Sequence, residues 1–296
     1  MKRRKWLKKI LLGSGATLTG LPVTKGEVNR KKGIRVAHIT DVHIRPENNI
    51  PERARKTLEE VLTHDVDLFL NGGDSIHDAS YDDVTRERVL EQWEVWDQFV
   101  EPIRSYEIFS CLGNHDMWWK APSKEHEMYG KPYAVKRLGI PGRYFSVSRG
   151  GWHMIILDSN QSGVRLDEKQ FQWLEEELEK LPENTPVLIM SHYPILGVTD
   201  HFVGGQHSDF EELKTLFYAH QDKVKLCLSG HQHMVDRAWY NGVDYLCNGS
   251  MSGYWWGKGD EHSAGKGYYL ESPPGYAILD LFPDGSFENT YYPHSF

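Results

Sequence analysis

The sequence predicts an α/β fold built on two mixed β-sheets. In the first half, short apolar runs alternate with helical patterns, as expected where covering helices follow strands. Toward the end, paired runs around tight-turn residues indicate hairpins, which argues against a purely doubly wound sheet. Five short polar motifs each follow an apolar run, which sets them at strand exits along one chain.

The elements follow in order. Residues 34–40 read as a strand ending at Asp41. Residues 51–64 read as a helix, with Pro51 at its start and Ala54, Leu58, Val61 and Leu62 on one face. Residues 66–70 read as a second strand, ending near Asp74. Residues 82–104 form a long helix with an apolar stripe through Val89, Trp93, Trp96, Phe99 and Val100. Residues 107–112 are a third strand, ending at Asn114. Residues 143–148 and 152–158 pair across the Gly150-Gly151 turn. Residues 167–181 are a helix capped by Asp167. Residues 186–190 lead into His192. Residues 208–220 are a helix, with Ser208 and Glu211 spaced as a capping box. Residues 224–229 lead into His231. Residues 237–240 and 243–247 form a hairpin at Asn241-Gly242, and 277–282 with 286–292 form another at Asp284-Gly285. A single domain is expected over residues 33–296, preceded by a signal-like segment and linker at 1–32.

Charge narrows the function. The net charge is −8, and residues 1–22 hold six Lys/Arg and no acid, so the body is more acidic still. Such a body lacks the cationic face that nonspecific nucleic-acid binding requires. Cys111, Cys227 and Cys247 sit in or beside apolar runs and read as small buried hydrophobes; there is no CxxC and no disulfide framework. Lys2 to Lys9 followed by a short apolar stretch has the layout of an export signal. Arg3-Arg4, then Lys5, Trp6, Leu7 and Lys8, is similar to a twin-arginine signal, with Lys2 where that pattern has Ser or Thr. The expected location is therefore periplasmic or extracellular, and cytoplasmic if the segment is not a signal. The apolar stretch is too short and weakly apolar for a membrane span.

The motifs carry the chemistry. They are Asp41-Val42-His43, Gly73-Asp74, Gly113-Asn114-His115-Asp116, His192 and Gly230-His231-Gln232-His233. Ligands of open α/β sheets bind beyond the carboxyl ends of strands, so folding can bring these exits together. The x-spacing in Asp41-x-His43 and His231-x-His233 places each pair on one side of an extended exit. Oxygen and imidazole donors without thiolate suit Mn, Fe or Zn. Two neighbouring ions need a bridging carboxylate, and Asp74 is the natural candidate.

In these residues, over about 34–235, the chain resembles the calcineurin-like metallophosphoesterase family. The resemblance implies a four-layer αββα sandwich. It implies one metal held by Asp41, His43, Asp74 and His233, and a second by Asp74, Asn114, His192 and His231. It makes His115 the non-ligand histidine that stabilises the transition state or protonates the leaving oxygen, with Asp116 orienting it. Two ions about 3.5–4 Å apart would acidify a bridging water, and the hydroxide would attack phosphorus in line. The purple acid phosphatases, a related branch, carry Tyr at the position of His77 and Gly at that of His43. The chain thus looks like the cyclic-nucleotide and general phosphodiesterase side of the superfamily. The expected substrate is a small-molecule phosphate ester, with diesters favoured. A phosphomonoesterase and a non-catalytic metal-binding interaction protein stay as alternatives.

Selectivity must come from outside the motifs. Trp118-Trp119 follows Asp116 directly and is either core packing or an apolar wall for the leaving group. Trp255-Trp256 lies in the glycine-rich stretch 249–267, either a substrate loop or an ordinary surface loop. His77 is a candidate for substrate contact, with a surface or supporting role as the alternative.

Overall fold

Side-chain alternation along the strands decides the layering. In the computed structural model, which describes residues 33–257 and 272–295, the strands and helices run β1 (Ile34–Ile39), α1 (Ile50–Leu62), β2 (Leu68–Asn71), α2 (Arg86–Val100), β3 (Glu107–Ser110), α3 (Gly130–Leu138), β4 (Phe145–Arg149) and β5 (Trp152–Ile156). There follow α4 (Glu168–Lys180), β6 (Val187–Met190), α5 (Asp200–Val203), α6 (Phe210–Ala219), β7 (Val224–Ser229), β8 (Val235–Tyr240), β9 (Val243–Asn248), β10 (Gly275–Leu281) and β11 (Phe287–Pro293). The signal-like segment and residues 258–267 of the glycine-rich stretch lie outside the described residues.

One sheet has the order β11-β10-β1-β2-β3 and the other β4-β5-β6-β7-β9-β8. β1, β2 and β3 are parallel, with β10 and β11 added antiparallel. β5, β6, β7 and β9 are parallel, with β4 and β8 as antiparallel edges. In the second sheet, Met154, Ile156, Leu188, Met190, Leu226 and Leu228 face the first sheet. Their neighbours Ile155, Val187, Ile189, Val224 and Cys227 face Leu174 and Leu178 of α4 and Leu213 and Phe217 of α6. Period-2 alternation thus buries both faces, as parallel strands with covering helices require. On the first sheet the outer layer is α1 and α2, through Ala54, Leu58, Val61, Val89, Trp93 and Trp96. The result is the four-layer αββα sandwich.

Local chemistry moves several boundaries. α2 starts at Arg86, because the Thr85 hydroxyl accepts from Arg88 N at 3.2 Å. It gives way to a 3-10 turn at Glu101–Ile103, where Pro102 has no N–H to donate. The expected capping box at Ser208 does not form: α6 starts at Phe210 with Asp209 at its N-cap. The Asp209 side chain instead accepts from Leu166 N at 2.9 Å. α3 was not legible, being short, opened by Gly130 at φ 61 and carrying an internal proline. The three cysteines are buried and free. Among the described residues, no helix is long and apolar enough to cross a membrane.

His38 ties the sheets together at a cost in acid. It is fully buried on β1, with Nδ1 3.0 Å from the Asn248 side-chain amide at the end of β9 and Nε2 without a partner. Burial pushes its pKa from 6.5 down to about 4, against a smaller opposing pull from Asp41. A depressed folded value means that the unfolded chain binds the proton first as pH falls. Stability from this group is complete above about 6.5 and is lost as pH falls through about 4. We expect metal-free protein to lose about 2–3 kcal/mol from this source between those limits. Denaturant unfolding at stepped pH checks it: His38→Gln should flatten that limb, and an unchanged slope would contradict the assignment.

Candidate active site

All five motifs leave the carboxyl ends of parallel strands and meet at one edge. Asp41 and His43 follow β1, Asp74 follows β2, Asn114 follows β3, His192 follows β6, and His231 and His233 follow β7. The donors fall into two groups, Asp41 with His43 and His233, and Asp74 with His192 and His231; within each, one ligand atom per residue lies within 4.8 Å of the others. Asn114 joins the second group, its Oδ1 standing 2.9 Å from His192 Nε2 and 3.1 Å from His231 Nδ1. Asp74 Oδ2 lies between the groups, 3.6 Å from His43 Nε2 and 3.2 Å from His192 Nε2.

The exits are not extended, as the spacing had suggested. Asp41, His43, Asp74, His231 and His233 all have φ between 44° and 66°. Left-handed backbone at non-glycine residues costs about 1–3 kcal/mol each and survives only where the surroundings enforce it. Here it is enforced by loop-to-loop bonds: Asp41 N donates to Gly73 O at 3.0 Å and His43 N to Asp74 O at 2.9 Å. His231 and His233 fall into different groups, whereas Asp41 and His43, with the same left-handed backbone, share one. Glycine is required where the loops touch. A Cβ on Gly113 would sit 1.9 Å from Asp74 N, and one on Gly230 would sit 2.2 Å from Asp41 Oδ2.

The hydrogen-bond pattern shows that the donors fit metal ions. His43 Nδ1 lies 3.1 Å from His77 O, His192 Nδ1 lies 2.8 Å from Gly72 O, and His233 Nδ1 meets Gly253 O. A carbonyl only accepts, so each Nδ1 carries a proton and leaves Nε2 as the nitrogen that faces the site, with a free lone pair wherever the ring is neutral. His43 Nε2 and His233 Nε2 are nevertheless 3.1 Å apart. Two facing lone pairs repel unless a cation lies between or beside them. Burial keeps His43 neutral and pushes the His231 pKa down to about 3. At His192, burial opposes the charge, but Asp74 and Asp41 outweigh it and lift the pKa to about 9. The carboxylates thus draw a proton where a metal ion would displace it.

His115 stands beside the groups rather than within them. Its Nε2 is 4.0 Å from Asp74 Oδ2, and its backbone N donates to Asp74 Oδ1 at 2.8 Å. Burial disfavours its charged form, but Asp74 and Asp78 outweigh that and raise its pKa. The orienting carboxylate is Asp78, whose Oδ2 is 2.7 Å from His115 Nδ1. Asp116, expected in that role, accepts instead from Ser75 N at 2.8 Å, Ile76 N at 3.3 Å and Gly113 N at 2.9 Å. Burial and then Asp74 push its pKa up to about 7. Its carboxyl group braces the Asp74 loop against the Asn114 loop. Asp78 was missed although it is a second acid in the segment Gly73–Asp78; nothing in the spacing aimed it at His115.

The aromatic pairs split in two. Trp118 is buried and donates Nε1–H to Val84 O at 3.1 Å, so it packs. Trp119 is 38% exposed and lines a cavity of about 420 Å³ with Asn114, Lys131, Asn160 and Tyr193. Trp256 is buried, with its Nε1–H on Val42 O at 2.8 Å. Trp255 lies over the site, its ring centroid 3.9 Å from that of His43 and 4.9 Å from that of His115. With Asp74, His115, His231 and His233 it lines a second cavity of about 320 Å³. His77 reaches Arg45 rather than the cavity: its Nε2 is 2.8 Å from the guanidinium, and burial and then Arg45 push its pKa down to about 4.

The family model described as calcineurin-like phosphoesterase matches residues 34–235. A 3′,5′-cyclic-nucleotide phosphodiesterase of Nostoc is 27% identical over 273 residues, which cover 88% of this chain and 92% of that protein. Purple acid phosphatase 23 of Arabidopsis thaliana is 24% identical, over 69% of this chain and 47% of its own length. Among solved structures, a dimetal phosphatase from Danio rerio has the same fold, with a TM-score of 0.63 at 14% identity, over 88% of this chain and all of that one. The chain therefore belongs to the calcineurin-like phosphoesterase family and is a metal-dependent hydrolase of phosphate esters.

Proposed function

We propose that the protein hydrolyses phosphodiesters, cyclic nucleotides among them, at a centre of two metal ions. The observation that carries the two-ion reading is Asp74 Oδ2, placed 3.6 Å from a nitrogen of one donor group and 3.2 Å from a nitrogen of the other. The oxygen and nitrogen donors suit Mn, Fe or Zn. Such ions, when bound, supply positive charge for the phosphoryl oxygens and a water of lowered pKa. The diester preference is supported by the Nostoc relative, which aligns over most of both chains.

The chain's own groups supply the rest. Asp41, His43, Asp74 and His233 would hold one ion, and Asp74, Asn114, His192 and His231 the other. His115, held by Asp78 at 2.7 Å and raised in pKa, would place an N–H at the departing oxygen. Trp255 covers the His43 ring and borders the cavity beside it. The test is hydrolysis by Mn²⁺-loaded protein of bis-(p-nitrophenyl) phosphate beside p-nitrophenyl phosphate. The diester should be cleaved faster. Faster cleavage of the monoester would make the protein a phosphomonoesterase, and metal binding without turnover of either would sink the catalytic reading.

A further inference from the structure

We propose that the cavity lined by Trp119, Lys131, Asn160 and Tyr193 receives the base of a nucleotide ester. This inference rests on the phosphodiester reading of the adjoining centre and assigns its substrate class. The cavity measures about 420 Å³, within the range of about 300–1,000 Å³ typical of small-ligand sites. It begins at the second donor group. Asn114 lines it and stands 3.1 Å from His231 Nδ1, while the ring of Tyr193, on its wall, is centred 4.1 Å from that of His231. On the opposite flank Trp255 borders the second cavity, of about 320 Å³, with Asp74 and His115; that cavity is assigned to the reacting phosphate, and the one bordered by Asn114 and Tyr193 to the ester group.

The walls suit a flat, uncharged, hydrogen-bonding group. Trp119 keeps an exposed face, and its back rests on Gly130, where a Cβ would meet the indole at 2.7 Å. The ring also packs edge-on against Tyr129, with centroids 5.5 Å apart. An indole fixed from behind and open in front is a preorganised stacking platform, and any base offers a π-face to it. The Asn160 amide nitrogen is committed to Leu112 O at 2.7 Å, so its Oδ1 is the atom left to accept from an exocyclic amine. The Tyr193 phenol, on the same wall, brings a hydroxyl that can donate or accept. Lys131 brings no surplus charge. Its Nζ lies 2.6 Å from Asp158 Oδ2, which also accepts from Arg143 at 3.0 Å, while Arg143 pairs in addition with Asp167. Two cations thus face two carboxylates, and neither a second phosphate nor a quaternary amine finds a free counter-charge.

Calorimetry on the Mn²⁺-loaded protein separates the base from the rest. AMP and ribose 5-phosphate share phosphate and sugar, so their affinity ratio reports the base alone. We expect AMP to bind about 5- to 150-fold more tightly. Trp119→Ala and Asn160→Ala should each shrink that ratio, and Trp119→Phe, which keeps a stacking face, should retain most of it. Equal affinities in the unmodified protein would overturn the proposal, and so would a ratio that survives both alanine substitutions. Bis-(p-nitrophenyl) phosphate hydrolysis by the same preparation keeps the two readings apart. A large ratio without hydrolysis refutes the catalytic reading alone; hydrolysis with a ratio of one refutes the base site alone.

Discussion

Asp74→Ala is expected to abolish metal-dependent hydrolysis, lowering kcat/KM by about 10³-fold or more, equivalent to about 4 kcal/mol of transition-state stabilisation. Asp74 performs three tasks at once. Oδ2 faces both donor groups, Oδ1 holds the backbone of His115 at 2.8 Å, and the backbone carbonyl takes His43 N at 2.9 Å. The alanine variant keeps the last of these and loses the first two. Asp74→Asn separates them further, because an amide oxygen still accepts from His115 N but brings no negative charge. Both variants should bind less metal by elemental analysis, and both should be inactive on bis-(p-nitrophenyl) phosphate. Full metal content together with near-normal rates would refute the bridging assignment.

How legible the site was depends on what each residue does. The candidate ligands could be picked out because metal chemistry restricts such donors to a few residue types, and strand exits in an α/β fold mark where they gather. The sequence order Asp41, Asp74, Asn114, His192, His231 is the order in which parallel strands β1, β2, β3, β6 and β7 deliver them. The local geometry did not read. An x-spacing suggests one extended face, but the exits turn left-handed, and His231 and His233 fall into different groups while Asp41 and His43 share one. Supporting residues read least, since proximity in sequence is a poor guide to hydrogen-bond partners. Asp116 adjoins His115 but braces backbone amides, whereas Asp78, from the β2–α2 loop, reaches the ring. The aromatic doublets show the same limit: neighbours in the chain point apart, so Trp118 and Trp256 are buried while Trp119 and Trp255 border cavities.

His115→Ala should leave the metal content intact and lower kcat by about 10²- to 10⁴-fold, the usual contribution of a positioned general acid. His115 belongs to neither donor group, and its Nε2 stands 4.0 Å from Asp74 Oδ2, so deleting it removes no ligand. Asp78 acts through His115, and its expected effect follows from that. Asp78→Asn preserves the shape of the contact but removes the charge that favours the imidazolium, so a smaller loss, about 10- to 100-fold, is expected. Positioning has a signature that general destabilisation lacks. Once His115 is alanine, Asp78 has nothing to orient, so Asp78→Asn should cost little more activity in that background. Asp116→Asn provides the contrast. Its carboxyl group joins two ligand loops through Ser75, Ile76 and Gly113 amides, so its substitution should lower unfolding stability and metal content whether or not His115 is present. Multiplicative losses for Asp78→Asn and His115→Ala would show that Asp78 acts by some route other than the imidazole. Coupling between Asp116 and His115, with none for Asp78, would return the orienting role to the residue that the sequence first suggested.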